Sequence, residues 1–167
     1  MEVKELQEFK KYLSLYCQCV HPDSGVEFRT TKVYTGSPEV KMTASEDLDA
    51  PMYLTRCAGA MAKVTEQPDI DDDCWWAINH RGQDYVLLGP IRFFNHNCRS
   101  NATLASHSST KLVPRISTKV KVGDEITLFY GEGYFGKNNV EYRCFTCRTI
   151  KGKASSRSSS RSGSKKL

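Results

Sequence analysis

The apolar residues of the first segment recur at helical spacing. Between residues 4 and 16 they stand three or four positions apart, at Leu6, Phe9, Leu13 and Tyr16. This spacing places them on one side of a helix. The pattern therefore predicts a short amphipathic helix near the start of the chain.

Beyond this segment the pattern changes to an alternation of polar and apolar residues, which is typical of β-strands. The strand-like segments are residues 27–29, 32–34, 40–44 and 118–128. Turn-forming residues interrupt them at Gly36-Ser37-Pro38 and at Gly123-Asp124. Short apolar segments broken by Gly, Pro and Asp predict a mainly β domain with small sheets and few short helices.

The excess positive charge of the chain lies in its last segment. The 167 residues carry a formal net charge of +5 and are 39% hydrophobic, which fits a single domain with one core. Residues 151–167 contain six Lys or Arg residues and no acidic residue, whereas residues 1–150 contain 18 basic and 19 acidic residues. A Ser-rich basic segment cannot bury apolar surface, so we expect this tail to be disordered. Such a tail can contact DNA phosphates non-specifically, or it can simply be solvated.

The seven cysteines have to be interpreted together with the cellular compartment. Residues 1–11 are rich in charge and lack the apolar run of a signal peptide. No stretch approaches the ~20 apolar residues that cross a bilayer. We therefore expect an intracellular, reduced protein with no membrane association, in which clustered cysteines bind metal or are buried. Cys17 and Cys19 are interpreted as structural.

Two segments hold the candidate chemistry. Residues 92–101, here called the Asn-His box, read R-F-F-N-H-N-C-R-S-N, and residues 125–131 read E-I-T-L-F-Y-G, with a Cys144-x-x-Cys147 pair further on. Bulky apolar residues before the Asn-His pair predict an apolar strand that ends in side chains able to donate and accept hydrogen bonds. Together the segments resemble the SET-domain protein lysine methyltransferases. The resemblance implies a SET-domain fold of small β-sheets around a threaded, knot-like core, with S-adenosylmethionine as the cofactor.

The resemblance also implies which residues bind the cofactor. Asn95 would meet the amino-acid end of S-adenosylmethionine, and the backbone near His96 would contact the adenine edge. The further cofactor-binding residues implied in this way are Tyr34, Thr35, Gly36, Asn79 and Phe135. The alternative for the Asn-His pair is that it satisfies buried backbone groups, and the alternative for residues 34–36 and 79 is ordinary turn chemistry.

Tyr130 is the candidate catalytic residue. Methyl transfer to lysine requires a neutral amine in line with the methyl donor, in a channel that excludes water. A buried tyrosine hydroxyl can orient the amine or the donor without carrying a charge, and the resemblance gives this role to the Tyr that precedes Gly131. The alternative is a core tyrosine on a hairpin. By the same resemblance, Leu128 lies where many related enzymes carry Phe or Tyr, and its lack of a hydroxyl predicts a di- or trimethylated product.

A zinc site is a third implication of the resemblance. In the family, the cysteine of the Asn-His box and the three cysteines of a C-x-C-x-x-C segment bind one zinc ion. In this chain Tyr142 stands where the first of those three cysteines belongs. The remaining candidate metal ligands are Cys98, Cys144 and Cys147. A closed structural zinc site has four ligands, so the fourth would come from His80, His107 or another cysteine. Alternatively, the cysteines are buried as small apolar residues.

The chain divides into four predicted parts. They are a short helical lead-in (1–20), a SET catalytic domain (21–137), a post-SET cysteine segment (138–150) and the disordered basic tail (151–167). The lead-in is much shorter than the helical amino-terminal region of the family. This departure affects substrate docking and stability more than the chemistry.

The residues that flank the two motifs resemble one particular group within this family. The enzymes that di- and trimethylate the lysine at position twenty of histone H4 have segments similar to Leu87-Leu88-Gly89-Pro90 and to residues 131–139 of this chain. The leading hypothesis is an S-adenosylmethionine-dependent histone lysine methyltransferase that acts on a histone H4 tail or nucleosome, in the nucleus and on the chromosome. The alternatives are a lysine methyltransferase of another histone or of a non-histone protein, and a non-catalytic SET module that binds chromatin or a protein partner.

Overall fold

The computed structural model describes residues 3–34, 36–63, 77–80, 82–131, 134–135 and 144–146. A helix, α1 (Val3–Cys19), precedes the strands, which are β1 (Val26–Thr31), β2 (Glu39–Ala44), β3 (Met52–Tyr53), β4 (Gly59–Lys63), β5 (Ala77–His80), β6 (Gln83–Leu88), β7 (Ala102–Ser108) and β8 (Lys111–Ile116). Short 3-10 turns lie at Pro22–Ser24, Thr55–Cys57 and Pro90–Phe93. The predicted mainly β architecture with few short helices is confirmed. Within these residues, no helix combines the length and apolar character needed to span a bilayer.

The strands form two antiparallel sheets. β1 and β2 make a two-stranded sheet whose register runs from the pair Val26 and Ala44 to the pair Thr31 and Glu39. In the second sheet the strand order is β3-β8-β4-β6-β5, and β7 also pairs with β8. β8 therefore uses one edge for β7 and the other edge for β3 and β4. Because β7 starts directly after the Asn-His box, this sheet fixes where the box ends.

The strands predicted at residues 27–29 and 40–44 are confirmed, but the strand predicted between them is not. Residues 27–29 lie in β1, and residues 40–44 lie in β2. The expected strand at 32–34 was wrong, because β1 ends earlier and these residues lie in the turn. The Gly36 amide donates to the Lys32 carbonyl at 3.1 Å, and Gly36 has a φ of 88°, which glycine adopts without strain. Tyr34 is therefore carried on a turn rather than on a strand.

The last alternating segment keeps its predicted turn but does not pair with itself. Gly123 has a φ of 84° at the turn. On either side the chain pairs with other segments, since Val120 bridges Leu48 and the Ile126 amide donates to the Met42 carbonyl at 2.9 Å. The strand predicted from the alternation is not formed, since residues 118–128 make only isolated bridges, at Val120, Glu125 and Leu128. The pairing partner is set by residues far away in sequence.

The predicted amphipathic helix is confirmed as α1, but it buries a different face. Leu15 and Cys19 are buried, and α1 packs against the turn at Thr55–Cys57. Phe9 and Leu13, which belong to the predicted apolar stripe, are 57% and 48% exposed. The helix carries apolar residues on two different faces, and the tertiary contact selects the face that includes Leu15.

The main core lies between the β1–β2 sheet and the segments that carry the two motifs. Its largest fully buried side chains include Met42, Leu48, Phe94, Ile116 and Ile126. Cys19 belongs to this core, where its Sγ lies 3.7 Å from the Sγ of Cys57. The structural interpretation of Cys19 fits this burial, whereas Cys17 is exposed and takes no part in the core.

Candidate active site

The Asn-His box begins in a tight turn rather than in the expected apolar strand. Pro90–Phe93 forms a 3-10 turn, and Gly89 before it has a φ of 89°. The proline ring fixes φ and leaves no amide hydrogen for a sheet, so the strand prediction before Asn95 was wrong. Phe94 follows in an extended conformation, and its fully buried ring anchors the box in the core.

The segment that leads to Tyr130 pairs with the middle of the box. The Leu128 amide donates to the Asn95 carbonyl, and the Asn97 amide donates to the Leu128 carbonyl, both at 2.9 Å. Leu128 also forms a parallel bridge with Ala102. Residues 125–130, here called the threaded segment, therefore lie between the middle of the box and Ala102, the residue that follows it, in agreement with the threaded core that the resemblance implied.

Asn101 holds this segment through its side chain. Its Nδ2 donates to the Glu125 carbonyl at 2.9 Å, and its Oδ1 accepts the Thr127 amide at 2.8 Å. One amide group thus takes the place of a neighbouring strand. The sequence placed Asn101 in the motif without this role, although a carboxamide, which carries both an NH₂ donor group and an acceptor oxygen, is the side chain that can perform it.

Tyr130 is fixed at both its hydroxyl and its backbone. The hydroxyl donates to the Phe94 carbonyl at 2.7 Å, and the amide donates to Nδ1 of His96 at 3.1 Å. Burial, followed by smaller contributions from Tyr134 and Glu125, raises the pKa of Tyr130. The hydroxyl is therefore protonated at neutral pH, and the candidate catalytic residue presents an oriented, uncharged oxygen.

His96 connects Tyr130 to the cysteines. Its side chain is 4% exposed, and burial lowers its pKa, so the ring is neutral at neutral pH. Because Nδ1 accepts from the Tyr130 amide, the ring proton lies on Nε2, which is 3.4 Å from the Sγ of Cys98. The sequence did not reveal this role. The expected contact between the His96 backbone and an adenine edge stays a prediction.

Aromatic rings surround Tyr130. The ring of Tyr134 lies 4.8 Å from that of Tyr130 in an edge-on arrangement, and the ring of Phe135 stacks at 6.3 Å. Phe135 is also 5.0 Å from the His96 ring. Phe129, the neighbour of Tyr130, is 47% exposed. The cluster packs aromatic rings against the ring of Tyr130, next to the accessible aromatic surface of Phe129.

Asn95 and Tyr34, two predicted cofactor-binding residues, meet at a third residue, Glu125. Asn95 Nδ2 and the Tyr34 hydroxyl each donate to Glu125 Oε1 at 2.9 Å. Burial, followed by the carboxylate of Glu125, raises the pKa of Tyr34. The structure thus brings the turn after β1 to the Asn-His box. Sequence reasoning missed Glu125, because it stands at an ordinary polar position of an alternating segment that also contains Lys119 and Lys121.

The structure describes the positions of only some of the other predicted cofactor-binding residues. Gly36 lies in the turn next to Tyr34, and Thr35 lies outside the described residues. Asn79 lies in β5, the last strand of the six-stranded sheet, where its backbone pairs with Asp84. Their contacts with a cofactor stay predictions.

Two of the predicted metal ligands lie together. The Sγ of Cys144 is 3.5 Å from the Sγ of Cys98. In a tetrahedral zinc site with Zn–S bonds of about 2.3 Å, neighbouring sulfurs lie about 3.8 Å apart. The pair therefore fits a shared zinc ion. Cys147 and Tyr142 lie outside the described residues.

His96 is the third candidate donor of this cluster, with its ring nitrogen within 4.8 Å of both sulfurs. A zinc-bound nitrogen must offer its lone pair to the metal, but Nε2 carries the proton while Nδ1 accepts from Tyr130. His96 is thus arranged to donate to the Cys98 sulfur rather than to bind the metal. His107, one of the expected fourth ligands, is exposed on β7.

Thr146 provides a second connection between the cysteine segment and the box. Its hydroxyl donates to Asn97 Oδ1 at 2.7 Å, and the same oxygen accepts the Arg99 amide at 3.0 Å. This bond needs no metal. It holds the neighbourhood of Cys144 next to Cys98 through the protein's own side chains.

Residues 4–131 match the SET domain family. A histone-lysine N-methyltransferase SET9 of Phaeosphaeria nodorum is 33% identical over 151 residues, which are 86% of this chain and 23% of that protein. A protein of the same name from Gibberella zeae is 31% identical over 162 residues, covering 88% of this chain and 23% of that protein. The chain therefore spans about a quarter of the length of these relatives.

A solved structure agrees on the fold. It is a crystal structure of a Plasmodium falciparum protein named as a histone methyltransferase, with a TM-score of 0.53 and 13% identity, and the match covers 66% of this chain and 96% of that one. This likeness supports the architecture alone. The family match includes the Asn-His box, the threaded segment and Tyr130, and the chain therefore belongs to the SET-domain family.

Proposed function

We propose that this chain is the catalytic domain of an S-adenosylmethionine-dependent histone lysine methyltransferase. The observation that carries the proposal is the Tyr130 hydroxyl, held at 2.7 Å by the Phe94 carbonyl beside the ring of His96 and the aromatic cluster. The two named relatives support it, because both bear the name histone-lysine N-methyltransferase. The resemblance of the motif flanks favours a histone H4 tail as the substrate, in the nucleus and on chromatin.

The chain's residues contribute orientation. The cofactor, when bound, supplies an electrophilic methyl group on a sulfonium. The Tyr130 hydroxyl gives its hydrogen to the Phe94 carbonyl, so its oxygen lone pairs remain to accept a hydrogen bond from the lysine amine. His96 holds the backbone of the same residue through its Nδ1. Two fixed points keep the oxygen in position, which is how this site would favour in-line transfer.

The surroundings also favour the reactive form of lysine. The rings of Tyr134 and Phe135 lie 4.8 Å and 6.3 Å from the Tyr130 ring. Apolar surroundings disfavour a charged ammonium group, so a lysine that enters this cluster loses its proton more readily. Tyr130 is itself protonated and therefore does not act as the base. The lysine proton has to leave through solvent before the transfer.

The cysteine cluster has a structural part in this proposal. Cys98 and Cys144, joined by Cys147, would hold a zinc ion that closes the segment after Tyr130 onto the box. The spacing of the two described sulfurs supports this arrangement. His96 would then donate from Nε2 to a zinc-bound sulfur, as partners of metal ligands commonly do.

The extent of methylation follows from Leu128 in this proposal. Its side chain has no hydroxyl that could hold a water molecule beside the amine, so space remains for a larger product. We expect di- or trimethyllysine. Mass spectrometry of a histone H4 tail peptide after exhaustive reaction measures this, and a purely monomethylated product would reject it.

A radiolabelled methyl-transfer assay tests the function. The substrates are recombinant nucleosomes and the separate free histones, and the proteins are the parent, Tyr130→Phe and Asn95→Ala. Tyr53→Phe is the matched control, because Tyr53 is 54% exposed on β3. We expect the parent and the control to label histone H4, and the two site variants to lose most of the label. A parent that binds S-adenosylhomocysteine but labels no histone would instead favour a non-catalytic module or another protein substrate.

A further inference from the structure

The carboxylate of Glu125 joins three parts of the chain. Its Oε1 accepts hydrogen bonds from Asn95 Nδ2 in the Asn-His box and from the Tyr34 hydroxyl in the turn after β1, both at 2.9 Å. These partners are 30 and 91 residues away in sequence. A charge-assisted hydrogen bond is roughly twice as strong as a neutral one. Glu125 therefore determines how two predicted cofactor-binding side chains are held.

The backbone of Glu125 is itself fixed. Its carbonyl accepts from Asn101 Nδ2 at 2.9 Å, and the residue bridges Thr43 at the end of β2. The next amide, that of Ile126, donates to the Met42 carbonyl at 2.9 Å. The carboxylate thus extends from a backbone held on both sides. This rigidity lets it orient its partners instead of following them.

The two hydrogen bonds of the Asn95 amide group define which way the carboxamide faces. Nδ2 donates to Glu125 Oε1 and, at 3.4 Å, to the Val40 carbonyl. Both partners are acceptors, so the nitrogen must face them and the carbonyl oxygen Oδ1 must face the other way. A flipped amide would set Oδ1 against a carboxylate and a carbonyl, which is unfavourable.

We infer that Glu125 is a positioning residue that makes Asn95 present Oδ1, a hydrogen-bond acceptor, to the ammonium group at the amino-acid end of the cofactor. The inference rests on the proposed function, in which Asn95 meets that end of S-adenosylmethionine. Glu125 acts through Asn95 and Tyr34 and touches no reacting atom. Its loss leaves only the longer bond to the Val40 carbonyl, at 3.4 Å, to hold the amide, and a turned amide offers a donor to a cationic group.

The test compares two ligands that differ at the amino-acid end. S-adenosylhomocysteine carries the ammonium group, whereas methylthioadenosine lacks the whole amino-acid end. Calorimetry measures both affinities in the parent, Glu125→Gln and the control Asp124→Asn, whose side chain is exposed next to Glu125. We expect Glu125→Gln to weaken S-adenosylhomocysteine binding about tenfold and to leave methylthioadenosine binding within about twofold of the parent. Damage to the fold would instead weaken both ligands.

A double-mutant cycle separates positioning from an independent contact. If Glu125 acts through Asn95, then Asn95→Ala in the Glu125→Gln background should cost less than about twofold in affinity. Full additivity of the two changes overturns the inference, as does unchanged S-adenosylhomocysteine binding by Glu125→Gln. Tyr34→Phe is a second probe that keeps the ring and removes one of the two donors, and it should weaken binding by a smaller factor. A parent that binds neither ligand overturns the proposed function together with this inference.

Discussion

Replacing Asn101 with alanine removes the partner of two backbone groups at once. The Glu125 carbonyl loses the hydrogen bond from Nδ2, and the Thr127 amide loses the acceptor Oδ1. Both groups belong to the threaded segment, which lies between the middle of the Asn-His box and Ala102. Alanine offers neither a donor nor an acceptor, so the segment loses its side-chain clamp.

The expected cost follows from these two contacts. A buried polar group without a partner costs about 1–3 kcal/mol. Because Asn101 is only partly buried, water can reach part of the site, and we expect a total loss of about 3 kcal/mol rather than the maximum of about 6 kcal/mol. For a domain of this size, about 1 kcal/mol lowers Tm by roughly 2–4 °C, so the drop should be roughly 6–12 °C.

Urea and thermal unfolding, followed by circular dichroism, measure this loss. Ser106→Ala is the control, because Ser106 is exposed on β7 and should change stability by less than about 0.5 kcal/mol. Asn101→Asp keeps an acceptor for the Thr127 amide but sets a carboxylate against the Glu125 carbonyl, and it should be at least as destabilising as alanine. A loss below about 1 kcal/mol for Asn101→Ala would refute the view that this side chain clamps the segment.

The remaining predictions concern the hydroxyl, the metal and the helix. Tyr130→Phe should lower kcat about a hundredfold or more and leave S-adenosylhomocysteine affinity within about twofold, and a variant with parental kcat would contradict its role. Protein purified without chelator should contain close to one zinc, which Cys98→Ser or Cys144→Ser should reduce; less than about half an equivalent in the parent, by elemental analysis, counts against the site. Leu15→Ala should destabilise the fold by about 2–4 kcal/mol, because Leu15 is 5% exposed, whereas Leu13→Ala on the opposite face should change little. Equal effects in the last pair would show that α1 docks through another face.

The sequence predicted the parts of this fold that depend on local pattern. Helical spacing located α1, and alternation located β1 and β2. The motifs placed Tyr130 and Asn95 in one site because their residue types and order are specific. Local pattern could not choose which of two apolar stripes α1 buries, since both have the same period. The turn at Pro90–Phe93 was missed even though Gly89 and Pro90 signalled it, because the bulky residues after them favoured a strand.

Local sequence pattern could not predict contacts between residues that are far apart in the chain. Val120 and Ile126 pair with Leu48 and Met42, which lie more than 70 residues earlier in the chain. Glu125 was missed for the same reason. A single Glu in a strand-like segment has many interpretations, and its contact with Tyr34 follows only from the folded chain.

The threaded segment makes stability and chemistry depend on the same contacts. Its start is clamped by Asn101, its middle is bonded to the centre of the Asn-His box, and its end carries the Tyr130 hydroxyl to the Phe94 carbonyl. Because Glu125 opens this segment and Tyr130 closes it, any shift of the strand would move the Asn95 amide and the Tyr130 oxygen together. We therefore expect substitutions that loosen the clamp, such as Asn101→Ala, to reduce both cofactor affinity and turnover at temperatures well below unfolding. Substitutions on α1 should lower Tm with little effect on either quantity in the folded protein.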